Sequence, residues 1–236
     1  MTDTKPSIGL RECLAEGLGT LFLVFCGTLA IVVNDWSHGA VTHVGIALAF
    51  GFAVIMVIQT FGDVSGAHVN PAVTLAFWAA RRLPGSHVLP YMLSQCLGAI
   101  VASLLVLALF PAHETLGATL PAGHWAQSFA LEFVLTYMLM LTIISAASGA
   151  QEKGLTAGLV IGSVVALEAL IGGPVSGASM NPARSLGPAL INGHLNCLWI
   201  YLLAPVLGAL CAIASCRVLR TNSACCREPT FCGPGD

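Results

Sequence analysis

Charge is what this sequence has least of. Only 8% of its 236 residues are Asp, Glu, Lys or Arg, where a soluble domain carries about 25%. Nine basic against eleven acidic residues leave a net charge of −2, and no basic patch is present to suggest nucleic acid. Aromatic residues make up 7%. There is no Gly-rich phosphate loop, no metal-ligand spacing and no nucleophile elbow, so the familiar signatures of enzyme chemistry are missing and neither a metal nor a cofactor is expected. No Cys-x-x-Cys pair occurs among the nine cysteines, and they lack the even spacing of a secreted disulfide scaffold. Cys13, Cys26, Cys96, Cys197 and Cys211 read as small apolar residues.

What remains is 56% hydrophobic, the composition of an integral membrane protein in a lipid bilayer. Apolar runs long enough to span occur at about 13–33, 41–62, 87–109, 126–148, 155–173 and 197–219. Between them lie two nearly identical stretches, Ser65-Gly66-Ala67-His68-Val69-Asn70-Pro71-Ala72 and Ser176-Gly177-Ala178-Ser179-Met180-Asn181-Pro182-Ala183-Arg184. The two Asn-Pro-Ala triplets stand 181 − 70 = 111 residues apart, close to half the chain, which marks an internal repeat.

Asn is a strong helix N-cap, and Pro suits the first helical position because its missing N–H would be unpaired there anyway. Each triplet therefore predicts a short helix, at about 70–80 and 181–191. Ten residues reach about 15 Å, half of a hydrocarbon core about 30 Å thick. Two surface turns are the bland alternative. Two copies at repeat spacing in so apolar a chain favour half-helices that start at the midplane and line a water-filled path. Other landmarks repeat in the same order. Glu16-x-x-x-Thr20 matches Glu132-x-x-x-Thr136, Ala47-x-x-x-Gly51 matches Gly158-x-x-x-Gly162, and Tyr91 with Gly98-Ala99 matches Tyr201 with Gly208-Ala209. Three spans per repeat is an odd number, so the second repeat enters from the opposite side.

The fold class that follows is an all-α membrane protein of six transmembrane helices and two re-entrant half-helices in an inverted repeat. A short N-terminus (1–12) precedes the first repeat (13–110). A connecting loop (111–125), the second repeat (126–219) and a Cys-rich tail (220–236) follow. Lys5, Arg11, Arg81, Arg82, Lys153, Arg217, Arg220 and Arg227 all fall on one side of this plan, which the positive-inside rule makes cytoplasmic, with both termini. The tail sets Cys216, Cys225, Cys226 and Cys232 beside Arg217, Arg220 and Arg227, a pattern that permits palmitoylation.

The two triplets and their flanks resemble those of the aquaporin, or major intrinsic protein, family, and the resemblance covers essentially residues 11–219. The phrase from Gly173 to Ala189 looks like the nodulin-like plant branch and its bacterial relatives. The resemblance implies a passive plasma-membrane channel for water and small uncharged solutes, with one pore per subunit and usually a homotetramer. It implies that Asn70, Pro71, Ala72, Asn181, Pro182 and Ala183 shape the pore centre, each Asn oxygen spent on capping and its amide N–H₂ left free for the solute. Carried over by distance from the two Asn residues, the outer constriction falls on Phe50, Ala169, Ala178 and Arg184. Strictly water-selective relatives usually have His where Ala169 stands, so the ring is expected to be wide, unless Phe50 narrows it again. Glu16 and Glu132 are expected to brace the re-entrant loops; as proton carriers they would instead point to a coupled transporter. His68 is placed near the inner pore mouth, as a fixed hydrogen-bonding group or a pH gate. Glu168 has no partner in the first repeat, and is left facing either Arg184 or a subunit interface. Glycerol and undissociated metalloid acids are the further solutes that this branch implies.

Overall fold

A computed structural model describes residues 9–146 and 152–219. Lys5, Arg220, Arg227 and the tail cysteines Cys225, Cys226 and Cys232 lie outside the described residues.

Eight helices form in chain order: α1 (Leu10–Trp36), α2 (Thr42–Ser65), α3 (Pro71–Ala79), α4 (Gly85–Leu109), α5 (Trp125–Ala146), α6 (Glu152–Ser176), α7 (Pro182–Asn192) and α8 (Leu198–Leu219). All but α3 and α7 are long and apolar enough to cross a membrane. Their outward faces carry Leu14, Leu18, Phe52, Leu93, Leu97, Val134, Leu167 and Leu203, all exposed, as a hydrocarbon solvent allows. Charge and polarity are turned inward instead: Glu16, Gln95, Glu132, Glu168, Arg184, Asn70 and Asn181 are all buried.

The spans cross closely because small residues sit where backbones meet. A Cβ on Gly51 would stand 2.6 Å from the Gly162 carbonyl oxygen, so α2 and α6 touch backbone to backbone at the repeat's small-xxx-small faces. Gly98 rests in the same way on the Gly17 carbonyl of α1, and Gly208 on the Phe133 carbonyl of α5. The same contact, made in each half at matched positions, is the repeat expressed as packing.

The half-helices are short, nine residues in α3 and eleven in α7. Both begin as their sequence dictates. Asn70 Oδ1 accepts from Ala72 N at 2.9 Å. Asn181 Oδ1 accepts from Ala183 N at 3.0 Å and Arg184 N at 3.4 Å. Each Pro follows at the first helical position. The spans before them stop alike. Gly66 (φ +84°) and Gly177 (φ +85°) end α2 and α6 in the left-handed region, which glycine enters without a Cβ penalty.

Candidate functional site

The loops between those glycines and the half-helices run through unfavourable backbone. Ala67 and Val69 have φ of +47° and +42°, and Ala178 and Met180 have +43° and +53°. For a β-branched residue such as Val69 this is a true outlier, held only if its surroundings over-determine it. They do. Glu16 accepts from Ser65 Oγ (2.7 Å), His68 N (2.9 Å), Val69 N (2.7 Å) and Gln95 Nε2 (2.7 Å). Glu132 accepts from Ser176 Oγ (2.7 Å), Ser179 N (2.8 Å) and Met180 N (2.7 Å). Tyr91 and Tyr201 hydroxyls donate to the carbonyls of Ser65 and Ser176, at 3.0 and 2.7 Å. Both carboxyl groups are wholly buried and occupied by these donors.

The strained loops turn their carbonyls toward the opposite half. Asn70 Nδ2 donates to Met180 O at 2.8 Å, and Asn181 Nδ2 donates to Val69 O at 2.8 Å. This corrects the expectation that capping leaves both amide hydrogens free. An amide nitrogen carries two; one is committed across the repeat, and the other is not. The sequence signals the cap, but a backbone acceptor 110 residues away has no side-chain signature.

Asn70 and Asn181 line a cavity of about 170 Å³, together with Phe50, Ala169, Ala178 and Arg184. The structure thus brings all four predicted ring residues and both Asn residues to one space. Arg184 is 2% exposed. Its Nη1 donates to the Gly117 carbonyl at 2.8 Å, and its guanidinium carbon lies 5.1 Å from the centre of the Phe50 ring. Its Nε has no hydrogen-bond partner among the described residues. Gly117 belongs to the connecting loop, which is pinned on both sides. His113 Nδ1 accepts from Leu116 N at 3.0 Å while Nε2 pairs with Asp35 at 3.2 Å, and Thr119 Oγ1 donates to Ser185 Oγ at 2.7 Å.

His68 lines the cavity toward Phe77. It stacks on the Phe77 ring (centroids 4.6 Å, planes 11° apart) and meets Tyr91 edge-on at 5.5 Å. The Thr74 hydroxyl donates to Asn70 O and accepts from Gln95 Nε2, both at 3.0 Å. At 3.3 Å from that hydroxyl, His68 Nδ1 must therefore carry the hydrogen.

Glu168 reaches neither Arg184 nor the protein's surface. It is wholly buried, and neither carboxyl oxygen has a hydrogen-bond partner among the described residues. The residue 111 positions earlier is the wholly buried Val57. An uncompensated buried carboxyl destabilises, and an apolar replacement of suitable volume is often stabilising. Glu168→Val is expected to raise the melting temperature in detergent by about 2–4 °C per kcal/mol recovered. A lower melting temperature would mean that the carboxyl group has found a partner.

Sequence reasoning missed Gly117, Thr119 and Gly27. Gly117 acts through a carbonyl and Thr119 through tertiary contact, neither of which leaves a pattern. Gly27 did leave one. Spacings of 4, 3 and 4 put Glu16, Thr20, Leu23 and Gly27 on one face of α1, and a Cβ on Gly27 would overlap the Phe50 ring.

Comparison with known proteins agrees with this architecture. The family model described as "Major intrinsic protein" matches residues 3–215. "Aquaporin NIP1-1" of Oryza sativa subsp. japonica is 42% identical over 225 residues, covering 95% of this chain and 79% of that protein. "Nodulin-26" of Glycine max is 45% identical over 202 residues, covering 85% of this chain and 74% of that one. Among solved structures, the aquaglyceroporin from Plasmodium falciparum superposes with a TM-score of 0.78 at 23% identity, covering 88% of this chain and 95% of its own, a likeness of fold. The chain belongs to the major intrinsic protein family and is a multi-pass membrane channel of the aquaporin kind, not an enzyme.

Proposed function

We propose that the cavity is the centre of a passive pore for water and small uncharged solutes, glycerol and undissociated metalloid acids among them, that excludes ions and protons. One observation carries this reading: both Asn caps and the Phe50, Ala169, Ala178 and Arg184 cluster face a single space between the two halves. Two half-helices present their positive ends there. Half a charge at about 5–8 Å, with an effective dielectric near 20, repels a cation by roughly 1–2 kcal/mol per end. Stripping hydration from an ion costs considerably more, so desolvation does most of the excluding and the helix ends decide against cations. The remaining N–H of Asn70 and that of Asn181 both donate, so a central water must turn its own hydrogens away. That orientation breaks a continuous proton wire.

In this reading Asn70, Pro71, Ala72, Asn181, Pro182 and Ala183 shape the centre. Phe50, Ala169, Ala178 and Arg184 form the outer constriction, His68 lines the inner mouth, and Glu16 with Glu132 holds the loops. Small side chains at Ala169 and Ala178 support a ring wider than water alone requires. The family supports a homotetramer in the plasma membrane, and the basic residues support cytoplasmic termini.

Stopped-flow light scattering on proteoliposomes tests the reading, with water, glycerol and arsenous acid compared in one preparation. Rapid flux of all three without a proton gradient is the expected result. Rapid water with little solute flux would mean that Phe50 closes the ring and that the channel is water-selective. Flux that requires a proton gradient would overturn the channel reading.

A further inference from the structure

Gly27 lies in the interior of α1, where glycine is the least favourable ordinary residue, so its place calls for a packing reason. The reason is Phe50. A Cβ built on Gly27 falls among the Cε1, Cζ and Cδ1 atoms of that ring, so the ring edge rests directly on the α1 backbone. Toward the pore, the ring lines the cavity with Ala169 and Ala178, and the Arg184 guanidinium carbon lies 5.1 Å from its centre.

The backbone that carries the ring has no room to retreat. Gly51, the next residue, lies against α6 so closely that a Cβ there would come within 2.6 Å of the Gly162 carbonyl. Neither helix can yield without disturbing the crossing that joins the two halves. A side chain at position 27 would press on the Phe50 ring, whose open side is the cavity it lines with Ala169 and Arg184. The displacement is on the order of one carbon–carbon bond, about 1.5 Å, across a pore whose selectivity is decided at that scale.

We propose that Gly27 is a positioning residue for the selectivity of the channel: by letting the Phe50 ring lie back against α1, it sets the largest solute that passes. This inference rests on the pore reading above. The glycerol flux of the unaltered protein tests that reading alone, and only the comparison of variants tests Gly27.

The experiment reconstitutes the unaltered chain, Gly27→Ala, Phe50→Leu and the double variant Gly27→Ala/Phe50→Leu, and measures water and glycerol flux in each. Gly27→Ala is expected to lower glycerol flux about ten-fold with water flux within about two-fold, the discrimination that one methyl group gives in a close-fitting site. The double variant is expected to recover the glycerol-to-water ratio of Phe50→Leu. An unchanged ratio in Gly27→Ala, or a double variant as restrictive as Gly27→Ala, would overturn the proposal. If Gly27→Ala fails to fold, the double variant decides: a folded double variant with the glycerol-to-water ratio of Phe50→Leu supports the proposal, and a more restrictive one overturns it. If neither folds, the obstruction is not the ring and the proposal fails. Where the unaltered chain passes water alone, Gly27→Ala is expected to lower water flux and the double variant to match Phe50→Leu, and an unchanged water flux in Gly27→Ala would overturn the proposal.

Discussion

Ala169→His is expected to cut glycerol flux at least ten-fold while leaving water flux within about two-fold, a loss of about 1–3 kcal/mol in the transition state for the larger solute. Ala169 lines the cavity with Phe50, Ala178 and Arg184, and with Ala178 it has the smallest side chain of the four proposed ring positions. An imidazole there fills that space and adds a polar group beside the guanidinium. Water remains small enough to pass and gains a hydrogen-bonding partner. Glycerol must shed more of its hydration and fit a smaller opening. The measurement is the ratio of the two fluxes in one proteoliposome preparation, so that differences in protein incorporation cancel. Equal loss of both would place the constriction elsewhere.

Glu16→Leu and Glu132→Leu are each expected to abolish the folded channel. Leucine is close to glutamate in size but accepts nothing. In the first half it strands His68 N and Val69 N with the Ser65 hydroxyl and one N–H of the Gln95 amide, whose other N–H keeps Thr74; in the second it strands Ser179 N and Met180 N with the Ser176 hydroxyl. Each buried donor left unpaired costs about 1–3 kcal/mol, so three or four of them reach about 3–12 kcal/mol. Total stabilities are only about 5–15 kcal/mol. The strain at Val69 and Met180 adds to the loss. Gel filtration and thermal melting in detergent read the effect before any flux assay. The conservative Glu→Gln variants keep one acceptor oxygen and are expected to fold with lowered melting temperatures. If a Leu variant melts like the unaltered chain, the carboxyl groups are not the braces of the loops.

Much of this was written locally. The Asn-Pro pair caps a helix through atoms two residues apart, so the half-helices could be placed from sequence to within a residue. The spans were placed by their apolar content, which locates hydrocarbon and not helix ends. Thus α1 begins at Leu10 instead of near residue 13, and α2 runs on through Asp63 to Ser65 until Gly66 ends it. Repeat spacing matched Glu16 with Glu132 because they recur with the same neighbours, and it was the family resemblance that implied their bracing role. The spacing was silent on their acceptor geometry, on the Met180 and Val69 carbonyls, and on Gly117, since every residue type owns a carbonyl. Glu168 was visible as the odd residue in the second half, yet only packing shows that it meets neither Arg184 nor the protein's surface.

The crossed pair of bonds, Asn70 to Met180 and Asn181 to Val69, bears on how the channel is made. A ribosome working at about 5–20 residues per second delivers the second partner roughly 5–20 s after the first. For that interval a carbonyl and an amide of the nascent first half have no acceptor or donor to meet, and a bilayer offers none. The first re-entrant loop therefore gains its bonds to the opposite half only after synthesis has passed residue 181. The pore comes into being in one late step, and a chain cut short before that point has no half-pore to show for its length.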